Sequence, residues 1–262
     1  MTIQTEFANN AKHILEKDEQ IIGLAVGGSW LSGQMDEFSD LDLIIVTREK
    51  ITDNPEEMIA YARRLGRFLS GFTGEHVGEP RLLICLYDRP LLHVDIKFVT
   101  LDECYNRVET PVILFDRNQQ LQSALLKSES VFPYPNYQWI EDRFWIWVHY
   151  ALLKIGRGEY FEALDFMGFL RMSTLGPLLH VKNNSLPRGV RKVEMELESQ
   201  DLGDLKLTIA QYDRSALLQG LQNAVRLYRD LRLVLFDHTI ILQVETELQV
   251  MRYFENINNR SD

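Results

Sequence analysis

The sequence predicts an α+β chain, with strands and helices alternating over residues 1–132 and helices alone over residues 133–262. Three observations support this. Short apolar or alternating runs at 21–26, in SDLDLIIV, and at 81–87 and 91–99 have the length and period of strands, separated by helical or turn-forming stretches. Phe132-Pro133-Tyr134-Pro135 then restricts the backbone to extended conformations, and the apolar patterns beyond it repeat at helical spacing. Within the first part, Asp40 and Asp42 of SDLDLIIV follow a Gly27-Gly28-Ser29 turn by eleven residues, which ties the strand pattern to a chemistry.

Taken in order, Phe7, Ala11, Ile14 and Leu15 predict an amphipathic helix over 7–17. The run 21–26 reads as a buried strand ending in the two glycines. Asn54-Pro55-Glu56-Glu57 supplies a cap, a first-turn proline and favourable acidic charge, predicting a helix that opens there and runs to Leu69. Strands at 81–87 and 91–99 flank Asp88-Arg89-Pro90, a hairpin connection. In the second of them Leu92, Val94, Ile96 and Phe98 share one face, and His93, Asp95 and Lys97 the other. Beyond the prolines, three of the four tryptophans, Trp139, Trp145 and Trp147, fall within nine positions of one helix, a density expected of core or domain interface rather than of a ligand stack. Gly156-Arg157-Gly158 turns the chain, and a helix follows over 160–170. The polar stretch 183–203 reads as loop with a short helix. Asp213 caps a long helix with a stripe of Leu217, Leu221, Ala224, Tyr228, Leu231 and Leu235, and His238 with IILQVETELQVMRYF forms the last helix.

The chemistry lies in the first part. In an extended strand Asp40 and Asp42 project together while Leu41 and Leu43 turn into a core. Two carboxylates on one rigid face repel, and a divalent cation with its preference for oxygen ligands offsets that repulsion. Gly27 and Gly28 allow backbone N–H groups to approach a phosphate closely, and Ser29 adds a hydroxyl. Asp95, mid-strand on a polar face, supplies a third carboxylate. By itself it would be a solvated edge residue; with Asp40 and Asp42 it completes the set that a two-metal phosphoryl-transfer centre requires.

The order GS, about ten residues, DLDL, then a later strand aspartate resembles the nucleotidyltransferase superfamily with the DNA polymerase beta-like fold. GSWLSGQMDEFSDLDLIIV is most similar to the bacterial aminoglycoside and streptomycin adenylyltransferase-like proteins. The resemblance covers roughly the first hundred residues. It implies a mixed sheet with flanking helices, followed by an all-α helical bundle. It also implies that Gly27, Gly28 and Ser29 hold a nucleoside triphosphate such as ATP, that Asp40 and Asp42 ligate magnesium, and that Asp95 completes a site for two Mg2+ ions. Many members carry a basic residue shortly after the GS turn, where this chain has Trp30, Leu31 and Ser32, so the triphosphate charge is expected to be met elsewhere. In related antibiotic-modifying enzymes a carboxylate of the helical domain takes the acceptor's proton. Glu141, Asp142, Glu159, Glu162 and Asp165 are candidates, Glu141 and Asp142 ahead of the rest, although acids near a helix start also serve the helix dipole. The acceptor is expected in a cleft between domains 1–132 and 133–262. Arg171 could reach the triphosphate, though an exposed ion pair is the commoner fate of such an arginine.

Composition bounds the acceptor. The 262 residues, 45% hydrophobic and 25% charged, suffice for two modest domains with cores. A net charge of −10 disfavours a nucleic-acid acceptor and favours a hydroxylated small molecule, cationic in an acidic cleft. Cys85 and Cys104 lack metal or redox spacing and are expected as reduced, buried thiols. Neither a secretory start nor a membrane-length apolar run is present, so a cytoplasmic enzyme is expected. Two rival readings are a protein-modifying nucleotidyltransferase and a nucleotide-binding module without catalysis. Three retained carboxylates argue against the second.

Overall fold

A computed structural model describes residues 2–259. The chain divides into two compact units, Met1–Phe132 and Pro133–Asp262. Among the described residues no helix is long and apolar enough to cross a membrane.

The first unit runs α1 (Ile3–Leu15), β1 (Ile21–Val26), a 3₁₀ turn (Gly28–Trp30), β2 (Leu41–Thr47), α2 (Pro55–Leu65), β3 (Arg67–Gly74), β4 (Glu79–Asp88), β5 (Leu92–Val99), a second 3₁₀ turn (Asp102–Tyr105), β6 (Val112–Asp116) and α3 (Gln120–Leu125). The six strands form one mixed sheet in the order β3-β4-β5-β2-β1-β6. β2 and β5 are parallel, and the other pairs antiparallel. Strand alternation sorts the two faces. Leu41, Leu43, Ile45, Val94, Ile96, Phe98, Leu83 and Tyr87 are buried with Ala8, Ala11 and Leu15 of α1 and Met58 and Ala62 of α2. Full burial of side chains of this size contributes about 1.5–3 kcal/mol each. The opposite face is covered in part by Leu121, Ala124 and Leu125 of α3 and by Cys104, packed on Ala25, Val46 and Val99.

Local chemistry sets the helix ends. Thr2 accepts from Thr5 N–H at the start of α1, and Asn54 from Glu57 N–H at the start of α2, with Pro55 at its first position. The expected run of α2 to Leu69 is corrected: it stops at Leu65, and residues 67–74 pair instead with β4, Phe68 opposite Tyr87. Gly66 ends the helix, and the segment beyond it joins the sheet, where the rings of Phe7 and Phe68 both meet the buried Tyr87 edge-on. The Arg89–Pro90 bond in the turn between β4 and β5 is cis.

The second unit is helical: α4 (Tyr137–Gly156), α5 (Tyr160–Leu170), a π-helical turn (Arg171–Leu175), α6 (Gly176–Lys182), α7 (Val193–Glu196), α8 (Ser199–Lys206), α9 (Arg214–Leu235) and α10 (Val244–Asn258). α9 is capped by Asp213 and buries Leu217, Leu221, Ala224, Tyr228 and Leu231. Its Tyr228 stacks on Phe144 of α4 at 3.6 Å between ring centroids. Two short helices, α7 and α8, occupy much of the stretch read as loop. The last helix starts at Val244 rather than at His238, because Asp237 Oδ1 accepts from both Thr239 N–H and Thr239 Oγ1, closing a turn that competes with helix.

Candidate active site

The glycine turn is tied to β2 by Gly27 N–H donating to Asp42 O at 3.1 Å. Gly28 adopts φ +59°, and a Cβ there would fall 1.8 Å from Asp42 Oδ2. The Asp42 carboxylate thus lies flat against the Gly28 backbone, in a space that only glycine leaves open. Asp95 is the register partner of Asp42 across the parallel β2–β5 pair, so both side chains leave the same sheet face. Asp95 Oδ1 is 2.9 Å from His93 Nε2.

Both aspartates line a cavity of about 320 Å³ on the face carrying α3. Its floor is apolar, with Ala25, Ile44, Val99 and Leu121 among its residues. Its walls are charged. Lys97, two residues beyond Asp95 on the same strand face, has Nζ 2.8 Å from Glu79 Oε2. Arg81 grips Glu79 through Nε and Nη2 at 2.7 and 2.8 Å. Arg81 and Lys97 hold the Glu79 carboxyl down to about 2, against the opposing pull of burial. Glu103, 3.6 Å from Arg81 Nη1, extends the network. Burial pushes the Cys104 thiol up to about 11 and the Cys85 thiol up to about 12, so neither is a ready nucleophile.

The cavity contains a carboxylate that strand patterning did not reveal. Glu109, in the connection between Tyr105 and β6, accepts from Gly28 N–H at 2.7 Å. Its pairing with Gly28 spans 81 residues, and NRVETPV has no periodicity that would announce it. Lys97 was in view through the alternation of β5, although nothing in the sequence paired it with Glu79.

The other candidate residues are placed as follows. Asp40 is half-buried just before Leu41 opens β2, and Asp40 does not line the cavity. The preceding loop is held by Gln4, whose buried Nε2 donates to Asp36 O and Ser39 O at 3.0 and 2.8 Å. Ser29 is half-buried in the glycine turn, its carbonyl taking the Ser32 hydroxyl. In the helical unit Glu141 is wholly buried. It accepts from Tyr228 Oη at 2.5 Å, Gln243 N–H at 2.9 Å, Arg232 Nη1 at 3.2 Å and Trp145 Nε1 at 3.4 Å. Burial and this bond to Glu141 raise the Tyr228 phenol well above its ordinary value. Asp142 is exposed and accepts from Gln138 and Gln243 side chains. Glu159 and Glu162 both pair with Lys154, and Asp165 is exposed. Among the described residues Arg171 makes no exposed ion pair, but donates from a partly buried position to Thr208 O at 2.9 Å.

Asp42 and Asp95 offer hard oxygen donors, the kind that Mg2+ takes one or two at a time together with phosphate and water. Among the described residues no group of three or more His, Cys, Asp or Glu side chains could hold a metal by itself. The pair therefore fits an ion shared with a phosphorylated substrate rather than a cage built wholly of protein.

No family model and no curated protein matches the chain. Among solved structures, it is similar to an aminoglycoside 6-adenyltransferase from Bacillus subtilis, at 13% identity and a TM-score of 0.41 over 99% of this chain and 100% of that one. It is also similar to a spectinomycin adenyltransferase from Enterococcus faecialis solved with ATP and spectinomycin, at 12% identity and a TM-score of 0.36 over 98% and 99% of the two chains.

Proposed function

We propose that this protein is a magnesium-dependent nucleotidyltransferase that moves AMP from ATP to a hydroxyl of a small molecule. The observation that carries this reading is the pairing of Asp42 with Asp95 across β2 and β5, with the Gly28 backbone laid against the Asp42 carboxylate. Two carboxylates facing each other on adjacent strands repel, and a shared cation offsets that repulsion.

Asp42 and Asp95 would hold Mg2+ together with the phosphates, and Asp40, at the entrance to β2 and outside the cavity lining, is the further carboxylate that a second ion would need. The ions would supply charge neutralisation for the triphosphate and a lowered acceptor pKa. The chain's own residues do the positioning. Gly27 N–H is engaged by Asp42 O, so the turn would offer the phosphates the Gly28 N–H, once Glu109 releases it, and the Ser29 hydroxyl, donors held in place by the backbone as charge shifts toward the leaving pyrophosphate. Lys97 lies on the same strand face as Asp95, and its ammonium is the basic partner nearest in sequence to the acids. Asp95 serves the acceptor side. Glu141 spends its carboxylate on four donors, so of the two favoured acids of α4 we assign proton acceptance to Asp142, which stays exposed. A net charge of −10 favours a hydroxylated, cationic acceptor such as an aminoglycoside-like compound.

Pyrophosphate release from ATP with magnesium, screened across hydroxylated amines, tests the proposal. Release should depend on an acceptor and vanish in Asp42→Asn, while that variant keeps its fold. Equal release from both proteins, or none with any acceptor, would remove the reading.

A further inference from the structure

We infer that Glu109 sits in the phosphate position of the glycine turn and must yield it to the triphosphate, which makes it a built-in competitor of nucleotide binding. This rests on the nucleotidyl-transfer reading. The Gly28 N–H is the donor that a phosphate oxygen would need, and it is already given to Glu109 Oε1 at 2.7 Å. A carboxylate and a phosphate oxygen present the same chemistry to an amide, a negative acceptor in a short charge-assisted bond. The turn is shaped around this carboxylate: a Cβ on Gly27 would fall 2.7 Å from Glu109 Oε1, just as one on Gly28 would meet Asp42. Two carboxylates thus straddle two glycines, and an incoming polyphosphate cannot share the Gly28 donor with Glu109.

The arrangement also shows how the position is released. Among the described residues Glu109 has no basic partner, and its carboxylate is held by the Gly28 hydrogen bond. The backbone on either side is anchored. Arg107 donates to Cys104 O, Leu125 O and Ser128, Val131 N–H donates to Arg107 O, and Thr110 Oγ1 meets Ser130. The side chain can therefore rotate away while the connection stays in place. Apparent affinity for polyphosphate is lowered by the fraction of molecules in which the amide is taken.

The test compares the full-length wild type with Glu109→Ala and Glu109→Gln, titrated with tripolyphosphate without magnesium and with ATP plus magnesium. A competing Glu109 requires tighter binding of both probes, roughly tenfold in Glu109→Ala. Glu109→Gln, which keeps an acceptor oxygen but no charge, should fall between. KM for ATP should drop without a matching rise in kcat. Weaker ATP binding with unchanged tripolyphosphate binding would make Glu109 a metal ligand and overturn the inference. Weaker binding of both by Glu109→Ala, with Glu109→Gln like wild type, would make it a clamp and overturn it equally. If all three proteins bind ATP with one affinity the inference alone fails; if none binds either probe, the nucleotide reading falls and takes the inference with it. Should Glu109→Ala not fold, the direction of change in Glu109→Gln decides.

Discussion

Gly28 couples backbone conformation to site chemistry, and the two can be separated. Gly28→Ala meets a left-handed φ of +59° and a contact 1.8 Å from Asp42 Oδ2, whereas Gly33→Ala meets φ +66° with nothing within 4 Å. Both should lose about 1–2 kcal/mol from the left-handed conformation, read as a shift in denaturant midpoint. Only Gly28→Ala should also lose pyrophosphate release, because its methyl group displaces the Asp42 carboxylate. Equal activity in the two variants would show that the Asp42 contact has no part in catalysis. Asp95→Asn should lower the rate far more than the affinity for magnesium and ATP, since Asp42 and the glycine turn remain. At this scale the sequence told which side chains share a strand face, as for His93, Asp95 and Lys97. It could not tell that Asp42 and Asp95 are register partners, because β2 and β5 become neighbours only through a crossover. Glu109 was illegible for a similar reason: its donor lies in another loop, and loops carry no period.

Helices with explicit caps were read well, and segments whose state depends on a distant partner were not. Asn54, Pro55 and Asp213 mark their helix starts in the sequence as they do in the structure. Residues 67–74 follow Gly66, a stop signal that the expected run to Leu69 passed over, and become an edge strand because β4 is there to pair with. Glu141 belongs to this scale too, as the buried junction of α4, α9 and the segment before α10. Glu141→Ala would leave Arg232 without that carboxylate and Tyr228 Oη and Gln243 N–H without their acceptor, and should cost about 3–5 kcal/mol in urea unfolding. A residue acting only as a base would lose rate and leave stability unchanged. In the sheet, Glu79 joins β4 to β5 through Lys97. Its folded value near 2 lies below its ordinary 4.5, so the stability it contributes is fully present above pH 4.5 and is lost as pH falls toward 2. Glu79→Gln should flatten that part of the acid unfolding curve; an unchanged curve would mean that Arg81 and Lys97 find other partners.

For the whole molecule, period and punctuation told of strands among helices and then helices only, while the mixed sheet was implied by the resemblance. The strand order was not available, since neighbours such as β5 and β2 are far apart in sequence. Net charge is legible from composition and bears on the acceptor. If attraction to an acidic protein contributes to binding a cationic acceptor, affinity should fall as salt rises, because exposed charges are screened beyond about 8–10 Å near physiological ionic strength. A salt-independent acceptor affinity would count against a cationic substrate. The central claim is that this chain transfers a nucleoside monophosphate through Asp42 and Asp95, and its most direct measurement is mass spectrometry of a pool of hydroxylated amines incubated with the protein, ATP and magnesium. An acceptor gaining the mass of one AMP with wild type, and none gaining it with Asp42→Asn or Asp95→Asn, is the expected result. ATP turnover that leaves every acceptor unmodified, or an adduct formed equally by the two variants, would contradict it.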